Sequence, residues 1–553
     1  MTKKYRLQKY LQFGLAGLLG WLIVSSLTSK TQAQQSNAQL NPDNTLGKES
    51  SVVTPIDALS DRIEKGAIRG ANLFHSFQEF NVDSGRSVSF ANPVGIENIL
   101  TRITGSNPSN ILGKLRVEGT ANLFLINPNE IFFGKNASLD IRGAFTATTA
   151  NEIKLEEKGL FSATEPAKSN LLSIQPNALF VNALKNQQAQ INNQANLTVG
   201  EGKNITLFGA NVSNTGILTA QNGTINLIGS ENLILGGNLD TNTLLLNTKN
   251  ITIAENTLVL LQWVSENTNL ILQATNDITI NPLTGNSLYL APGSGKVTLS
   301  ADVDGDGIGN FQMQTADTIK TNGRDISISG ASLTLGNIDT SHFLGGGNIT
   351  LIATEGNIST QDLDSSSLDP PYGTRGNGGD ITLTAQGNIS TQYIGSRGTT
   401  GNGGDITLTA QGNISSNSVH GTGGNGGDIT LTTQGNISTQ YIRSFSFLYS
   451  IDGTGGTGGN GGDITLTAQG NISIESLDSS SFGTGGNGGD ITLTTQGNIS
   501  VELLDSSSFP GLADTAGNGG DITLTAQGNI STQYIGSSGT AGNGGDITLT
   551  AQG

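Results

Sequence analysis

The stretch Gly-Gly-Asp-Ile-Thr-Leu-Thr at residues 378–384 decides the fold, because close copies of it recur along the last third of the chain. An older-looking copy begins at Gly346, and neighbouring copies lie between 23 (428 minus 405) and 35 (463 minus 428) residues apart. Internal repeats of this length are typical of solenoid proteins, in which each repeat is one coil and neighbouring coils share a core. The Asp of the block stands at positions 380, 405, 428, 463, 490, 521 and 546.

Side chains within the block alternate in polarity. Ile381 and Leu383 are apolar, whereas Thr382 and Thr384 are polar. Because successive side chains of a strand point to opposite faces, this pattern predicts a short strand with one face in a core and the other in water.

The block continues as Gln-Gly-Asn-Ile-Ser, at residues 386–390 in the first full copy. The Gln-Gly pair predicts a turn, and Asn-Ile-Ser predicts a second strand with Ile389 directed inward. A third short strand is expected at residues 392–394. Three strands and their turns in one repeat indicate an all-β fold, a right-handed single-stranded parallel β-helix.

The variation in spacing supports a solenoid. The conserved part of the repeat is constant, while the Gly/Ser/Thr-rich part varies by up to 12 residues (35 minus 23), as expected for loops at one corner. A propeller blade needs about 40–45 residues, which is too many. We therefore predict irregular β-helix coils at 166–345 and the regular repeat array at 346–553. The last copy stops at Gly553, before its Asn-Ile-Ser, so we expect the array to be truncated.

Stacked coils should bring equivalent residues to about 4.8 Å from one another. Neighbouring carboxylates in the Asp column would then repel each other by about 0.9 kcal/mol in bulk water. Turn N–H groups, loops that interrupt the stack and bound cations could each offset this repulsion, and the sequence leaves the three open. The amides expected to form a hydrogen-bonded ladder are Asn388, Asn413, Asn436, Asn471, Asn498 and Asn529.

Composition excludes several classes of protein. The formal net charge is −17, and no Lys follows Lys320. Because so acidic a chain repels polyanions, we expect no nucleic-acid partner. Cys is absent, which excludes disulfides and thiolate metal sites.

The first 33 residues predict a signal peptide. A basic start is followed by an apolar run at 13–24 and by Thr-Gln-Ala at 31–33. The apolar run is shorter than the roughly 20 residues that a membrane-spanning helix needs, which disfavours a membrane anchor. We predict a signal peptide at 1–33, a linker at 34–49 and export from the cytoplasm.

Residues 50–165 do not repeat and carry a series of ordered motifs. The motifs are Asn-Leu-Phe-His-Ser-Phe at 72–77, Phe-Ala-Asn-Pro at 90–93, Asn-Pro-Ser-Asn-Ile-Leu-Gly at 107–113, Ala-Asn-Leu-Phe-Leu-Ile-Asn-Pro-Asn at 121–129, Ile-Phe-Phe-Gly at 131–134 and Phe-Thr-Ala-Thr-Thr-Ala at 145–150. Together they strongly resemble the N-terminal haemagglutination-activity domain of filamentous haemagglutinins, which is the secretion domain of two-partner-secretion exoproteins. They look most like its cyanobacterial members.

The resemblance implies a route of export. Members of the family enter the periplasm of a Gram-negative-type bacterium and are recognised by a dedicated outer-membrane β-barrel transporter. They cross it unfolded, and the secretion domain nucleates β-helix folding outside. The resemblance therefore implies a secreted or cell-surface location. A solenoid also needs a cap over its first coil, so the alternative is that these motifs only shape that cap.

The family's Asn-Pro-Asn-Gly secretion motif matches Asn127, Pro128 and Asn129, with Glu130 at the fourth position. A Gly there would adopt positive φ at low cost, which Glu cannot, so the geometry of this turn is open. Asn-Pro pairs at 92–93 and 107–108 are loose candidates for the family's companion Asn-Pro-Asn-Leu motif.

A metal site is one prediction for the acidic run at 302–307. Asp302, Asp304 and Asp306 match the first half of an EF-hand-type calcium loop, although Met313 replaces the bidentate Glu at the twelfth position. The alternatives are a weak calcium site and a plain acidic turn. We expect no other cofactor.

No catalytic motif is evident, so we expect a protein that is not an enzyme. His75, His342 and His420 lie outside nucleophile or zinc motifs, and His75 is expected to be structural. The arginines of the repeat array, at 375, 397 and 443, are placed in variable loops.

The sequence thus predicts a secreted adhesin-like or structural β-helix in contact with cells or surfaces. Its expected partners are the transporter and host or neighbouring cell-surface glycans or proteins. The alternatives are a β-helical carbohydrate-active enzyme and a passive extracellular matrix fibre.

Overall fold

A computed structural model provides the architecture of the chain. The predicted signal peptide at 1–33 lies outside the described residues, as does Arg375. Among the described residues, no helix has the length and apolar character to cross a membrane. The described residues are 39–155, 159–170, 184, 186–235, 239–253, 267–283, 285–368, 376–398, 401–446, 459–483, 485–510, 517–539 and 542–553.

The N-terminal part forms non-repeating coils and two short 3₁₀ helices, Gly47–Glu49 and Pro166–Lys168. One strand and the first of these helices fall within the predicted linker at 34–49. The strands are β1 (Leu40–Pro42), β2 (Ser51–Pro55), β3 (Ser60–Lys65), β4 (Ala67–Arg69), β5 (Asn72–Phe80), β6 (Ser87–Phe90), β7 (Asn98–Ile103), β8 (Ser109–Ile111), β9 (Lys114–Val117), β10 (Asn122–Ile126), β11 (Glu130–Phe133), β12 (Ser138–Asp140), β13 (Phe145–Thr148), β14 (Glu152–Leu155) and β15 (Gly159–Ser162).

Antiparallel strands close the N-terminal edge of the solenoid. β5, β7, β10 and β13 pair in parallel in that order. Residues 72–74 of β5 pair with both β7 and antiparallel β4, so β4 covers the opposite edge of β5, and β1 extends this cover. β2 pairs in the same antiparallel way with β3. An exposed strand edge promotes aggregation. The antiparallel strands of this cap cover the edge of β5 that would otherwise be exposed.

The middle of the chain forms coils of irregular sequence. Their strands are β16 (Gln190–Asn193), β17 (Asn196–Thr198), β18 (Ile205–Asn214), β19 (Ile217–Leu235), β20 (Leu239–Thr248), β21 (Ile251–Ile253), β22 (Asn269–Ala274), β23 (Ile278–Ile280), β24 (Ser287–Tyr289), β25 (Val297–Ser300), β26 (Phe311–Gln312), β27 (Thr318–Lys320), β28 (Ile326–Gly330), β29 (Leu333–Thr334), β30 (Asn337–Asp339), β31 (Ile349–Ala353), β32 (Ile358–Ser359) and β33 (Asp362–Asp364).

The strands β31, β32 and β33 belong to the older-looking copy that begins at Gly346, and the array of exact repeats follows them. Its strands are β34 (Ile381–Ala385), β35 (Ile389–Gly395), β36 (Ile406–Ala410), β37 (Ile414–His420), β38 (Ile429–Thr433), β39 (Ile437–Arg443), β40 (Ile464–Ala468), β41 (Ile472–Asp478), β42 (Ser481–Phe482), β43 (Ile491–Thr495), β44 (Ile499–Asp505), β45 (Ser508–Phe509), β46 (Ile522–Ala526), β47 (Ile530–Gly536) and β48 (Ile547–Ala551).

Each coil adds one strand to each of two long sheets. The conserved Ile-Thr-Leu-Thr strands pair in parallel with every residue in register, as in β34 with β36 and β36 with β38. The Asn-Ile-Ser strands form the second parallel sheet, as in β35 with β37. The predicted parallel β-helix is confirmed.

The alternating pattern places the core as predicted. Ile381, Leu383 and Ile389 are fully buried, and Thr382 and Thr384 face outward and are partly exposed. Equivalent residues of each coil join one continuous apolar core. Because each coil contributes only a few aliphatic side chains, stability depends on stacking between neighbours.

The third strand of the repeat differs from the prediction. In the copy that begins at Gly346 it is separate, as β32 and β33. From β35 onward the second and third strands form one continuous strand, so that Ile389 pairs with Ile358 of β32 and Tyr393 pairs with Asp362 of β33.

Polar ladders follow the solenoid axis, and two of them lie at the positions that the sequence singles out. Each Asn side-chain oxygen accepts the backbone N–H of the equivalent Asn on the next coil, at 2.7 to 2.8 Å from Asn388 through Asn529. The asparagines align as predicted, but the donors are the backbone N–H groups, and among the described residues of this ladder bonds between side-chain amides join only Asn436 to Asn413 and Asn498 to Asn471. The Asp column has the same geometry at 2.8 to 3.0 Å. Backbone N–H donors, one of the three ways to offset carboxylate repulsion, are therefore present along the column.

Both burial and neighbouring carboxylates act on Asp428 within the Asp column. Burial raises the pKa of Asp428 above its ordinary value, and the carboxylates of Asp463 and Asp405 add to the increase. The backbone N–H of Asp463 opposes it by donating to Asp428 at 2.9 Å.

Candidate functional site

Asn127 organises the turn between β10 and β11, where the predicted secretion motif lies. Its side chain is fully buried, and Oδ1 accepts the backbone N–H of Asn129 at 3.0 Å and the Nδ2 of Asn129 at 2.9 Å. Such a bond from a side chain to the backbone two residues on stabilises a tight turn. The three motif residues therefore form one rigid corner of the coil.

Glu130 does not strain this turn. It is the first residue of β11, where it pairs with Gln190, and its Oε1 accepts from Gln190 Nε2 at 3.0 Å. Among the described residues, the non-glycine positions with positive φ are 65, 222, 286, 302 and 322, so Glu130 is outside the left-handed region. The turn does not require Gly at its fourth position.

Of the two candidate companion pairs, Asn-Pro at 92–93 and at 107–108, only the second lies at the same corner. Asn127 Nδ2 donates to the carbonyl of Asn107 at 3.0 Å and to Ser109 Oγ at 3.0 Å, while Asn129 Nδ2 donates to the Gly105 carbonyl at 2.9 Å. Asn92 instead bonds the backbone of Ile96 and Ala121. The structure thus places 105–109 directly beside the Asn-Pro-Asn turn.

His75 lies inside the N-terminal cap, as expected. It is fully buried, its Nδ1 is 3.0 Å from Ser51 Oγ, and its ring centroid is 5.7 Å from that of Phe90. Burial lowers the pKa of His75 to about 3, so the ring is neutral at physiological pH. This histidine packs within the cap and is not exposed to a substrate.

The three aspartates of the predicted calcium loop lie together. One carboxylate oxygen of each of Asp302, Asp304 and Asp306 lies within 4.8 Å of the others. Asp302 Oδ1 accepts the N–H of Gly307 at 3.1 Å, which folds the loop, and Met313 is buried in the core and supplies no ligand. The carboxylate donors suit a hard cation, and calcium binding stays a prediction.

Calcium is expected to stabilise the full chain if it binds this loop. At a concentration about 100 times the Kd, a ligand that binds only the folded state adds about 2.7 kcal/mol to the free energy of unfolding. Denaturant midpoints with calcium or with chelator measure the effect. Asp304→Ala should abolish it, while Asp240→Ala, a change of an exposed Asp elsewhere in the irregular coils, should not. Equal midpoints with calcium and chelator would contradict the site.

One placement of a cationic residue was wrong. Arg443 is the last residue of strand β39 and is not in a variable loop, because the second and third strands of the repeat are continuous. It pairs laterally with His420, the last residue of β37. The array therefore presents cationic and titratable side chains from its rigid sheet.

The fold defines a class of protein: a parallel β-helix solenoid whose first coils form a non-repeating, capped module. Residues 38–280 match the family model of the TPS secretion domain. The N-terminal part of the chain is thus similar to the secretion domain of two-partner-secretion exoproteins. The finer likeness to cyanobacterial members stays a prediction.

Two proteins of Haemophilus influenzae are similar to parts of the chain. A heme/hemopexin-binding protein is 31% identical over 83 residues, which are 15% of this chain and 9% of that protein. The crystal structure of the HMW1 secretion domain aligns with 16% identity and a TM-score of 0.25, covering 93% of this chain and 100% of that one. The chain therefore spans only a small share of the length of the heme/hemopexin-binding protein.

Proposed function

We propose that the chain is the exported member of a two-partner-secretion pair and acts outside the cell as a non-enzymatic, adhesin-like β-helix. The observation that carries the proposal is the TPS secretion domain at 38–280, placed on the capped coils from which the solenoid extends. In this view an outer-membrane transporter recognises the N-terminal part of the chain, and the repeats are exported after it.

The Asn-Pro-Asn corner is the proposed recognition element. Its turn is fixed by a hydrogen bond from the backbone N–H of Asn129 to Asn127 Oδ1. The side-chain amides of Asn127 and Asn129 donate to the carbonyls of Asn107 and Gly105, so several backbone segments form one surface. A rigid corner early in the chain suits a folding nucleus on the extracellular side.

The architecture also supports the adhesin-like role. Stacked coils extend the chain along one axis and repeat the same outward side chains on each coil, which provides a long surface for contact with glycans or proteins of another cell. The acidic net charge of −17 disfavours nucleic acid as the ligand.

Secretion is expected to require both the transporter and the corner. With the full chain co-expressed with its transporter, Asn127→Ala should reduce the amount in the medium at least tenfold, because the buried turn loses its cap. Immunoblots of medium and cells measure the ratio. Asn136→Ala is the matched control, since its exposed side chain bonds only Ser84 Oγ, at 3.2 Å, among the described residues.

Two outcomes would contradict the proposal. Secretion of the wild-type chain without any transporter would exclude the two-partner route. Unchanged secretion of Asn127→Ala would exclude the corner as the recognition element. Circular dichroism of the purified variant shows whether a loss of secretion accompanies a loss of β structure.

A further inference from the structure

We propose that Tyr393, Arg397, His420, Tyr441 and Arg443 form a binding site for an acidic polysaccharide, one whose sugars carry carboxylates or sulfates. These five residues, the cation–aromatic patch, lie on three consecutive coils of the repeat array. The inference rests on the adhesin-like function proposed above and names a ligand class and a place for it.

Sheet register brings the patch together. Tyr393, Ser418 and Tyr441 occupy equivalent positions on β35, β37 and β39. Neighbouring strands are about 4.8 Å apart, so the two tyrosines lie about 10 Å apart along the axis with the small Ser418 between them. The register alone therefore leaves a gap between two aromatic side chains.

A second row carries the charge. His420 and Arg443 are laterally paired at the ends of β37 and β39, and Gly395 holds the equivalent place on β35. Arg397, two residues beyond Gly395, is exposed. Each outer coil of the patch thus supplies one tyrosine and one arginine.

Contacts between these side chains support a preformed site. The Arg443 guanidinium lies 5.1 Å from the centroid of the Tyr441 ring, a cation–π arrangement. The rings of Tyr393 and His420 meet edge to face with centroids 5.5 Å apart. Burial raises the pKa of Tyr393, and the nearby positive charge of Arg397 opposes this increase.

Arg443 attracts the Asp478 carboxylate electrostatically, but neither guanidinium of the patch forms a direct ion pair with a described carboxylate. Among the described residues, neither Arg397 nor Arg443 lies within ion-pair distance of a carboxylate, in contrast to the paired Lys296 and Lys320 of the irregular coils. Burial, together with the positive charges of Arg443 and Arg397, lowers the pKa of His420 to about 4. His420 is therefore neutral at physiological pH, and the positive charge of the patch comes from the two arginines.

Carboxylates limit the patch at both ends. Asp364 aligns with Gly395 on the preceding coil, and Asp478 aligns with Arg443 on the following coil. Both carboxylates accept the N–H of the residue two positions on, Ser366 and Ser480, each at 3.0 Å. They bond their own turns, so an anionic ligand is favoured only across the three coils between them.

This arrangement favours an acidic polysaccharide over other polyanions. Guanidinium groups bind carboxylates and sulfates through paired N–H donors, and aromatic rings offer an apolar surface to the C–H face of a sugar. Duplex DNA carries one charge per about 1.7 Å, and a duplex longer than the patch would extend over Asp364 and Asp478 on the neighbouring coils. A sugar chain with sparser charge can place its anionic groups at the two arginines.

The repeats themselves provide variants that preserve the fold. Residues 389–397 and 530–538 are identical except that Arg397 is replaced by Ser538. Residues 437–442 match 389–394, where Gly395 follows in place of Arg443. Arg397→Ser and Arg443→Gly therefore install residues that other coils already hold at these positions.

Binding of the purified full chain to polygalacturonate, dextran sulfate and neutral dextran tests the site by calorimetry at low salt. We expect one or both acidic polymers to bind, dextran not to bind, and Arg397→Ser/Arg443→Gly to weaken binding at least tenfold. Tyr441→Ala should also weaken it, whereas Tyr534→Ala, at an equivalent position with no arginine on its coil, should not.

The matched charge control is Lys296→Gln, which removes one cation outside the patch and is expected to leave the affinity within twofold. Unchanged affinity of the double arginine variant, equal binding of dextran, or preferential binding of duplex DNA would overturn the site. None of these outcomes affects transporter-dependent secretion, which tests the proposed export route separately.

Discussion

Replacement of Arg102 by Met is expected to lower the free energy of unfolding of the N-terminal coils by about 3–5 kcal/mol, the usual cost of removing one partner from a buried charged network. Arg102 is fully buried on β7. It donates to Ser76 Oγ at 2.9 Å, to the Ser162 carbonyl at 2.7 Å and to Thr45 Oγ1 at 2.8 Å. Its guanidinium also lies 4.6 Å from the Phe161 ring centroid.

The balancing carboxylate belongs to Asp43, which is reached through shared hydroxyls. Ser76 Oγ donates to Asp43 at 2.9 Å and Thr45 Oγ1 donates at 2.6 Å. Burial alone would raise the pKa of Asp43, but hydrogen bonds from Thr104, Thr45 and Ser76 hold it below its ordinary value. Burial lowers the pKa of Arg102 to about 10, with Asp43 opposing the shift. Without the guanidinium, the partly buried Asp43 carboxylate loses its balancing charge and the Ser162 carbonyl loses a hydrogen-bond donor.

Hydrogen exchange of the purified chain measures this loss where it occurs, in β1, β7 and β15, and denaturant unfolding by circular dichroism measures its size. Arg116→Met is the matched control, because Arg116 is exposed and its Nε lies 3.4 Å from the exposed Asp140. An exposed ion pair contributes about 0–1 kcal/mol. Equal effects of the two variants would show that the buried network does not stabilise the cap.

The sequence could not reveal Arg102, because its burial depends on a distant segment. All six residues of β7 are buried, although strand alternation predicts one exposed face. The hairpin β14–β15 covers the outer face, where Phe161 packs on Phe74 with centroids 5.0 Å apart in a second apolar cluster. The segment that buries Arg102 thus lies some 60 residues further along the chain.

Local periodicity explains what the sequence did predict. Ile381, Leu383 and Ile389 are buried because a strand alternates its faces, and the equivalent asparagines align because identical coils stack in register. The continuity of β35 was not predictable in the same way. It depends on whether residues 391–392 turn or extend. They extend in β35, whereas the chain of the preceding coil is interrupted between β32 and β33.

The second glycine of each Gly-Gly pair in the repeat is required by close contacts inside the coil, which the sequence alone does not show. A Cβ added to Gly462 would lie 2.5 Å from the Gly427 carbonyl oxygen and 2.5 Å from Ser444 Oγ. Ser444 Oγ donates to that same carbonyl across the interior of the coil, and Ser479 Oγ donates to Gly462 on the next one. The second Gly of each block therefore leaves room for a column of buried serines.

Gly462→Ala is accordingly expected to lower the free energy of unfolding by about 2–3 kcal/mol, near the upper end of the usual cost of overpacking. Because coils of a solenoid interact mainly with their neighbours, the loss should be confined to β38, β40 and β43. Hydrogen exchange of these strands measures it. Thr465→Ala, an outward position on the same coil, is the control, with an expected change of at most about 0.5 kcal/mol.

A second variant identifies which contact forbids the methyl group. If the flexible Ser444 hydroxyl were the obstacle, Ser444→Ala would restore the stability of Gly462→Ala, because the hydroxyl would be gone. The Gly427 carbonyl oxygen is equally close, and it is held in place by the sheet register. We therefore expect no restoration in the double variant. Full restoration would mean that Gly462 is needed only to leave room for the serine hydroxyl. The close approach of the backbones of neighbouring coils would then not require a glycine at this position.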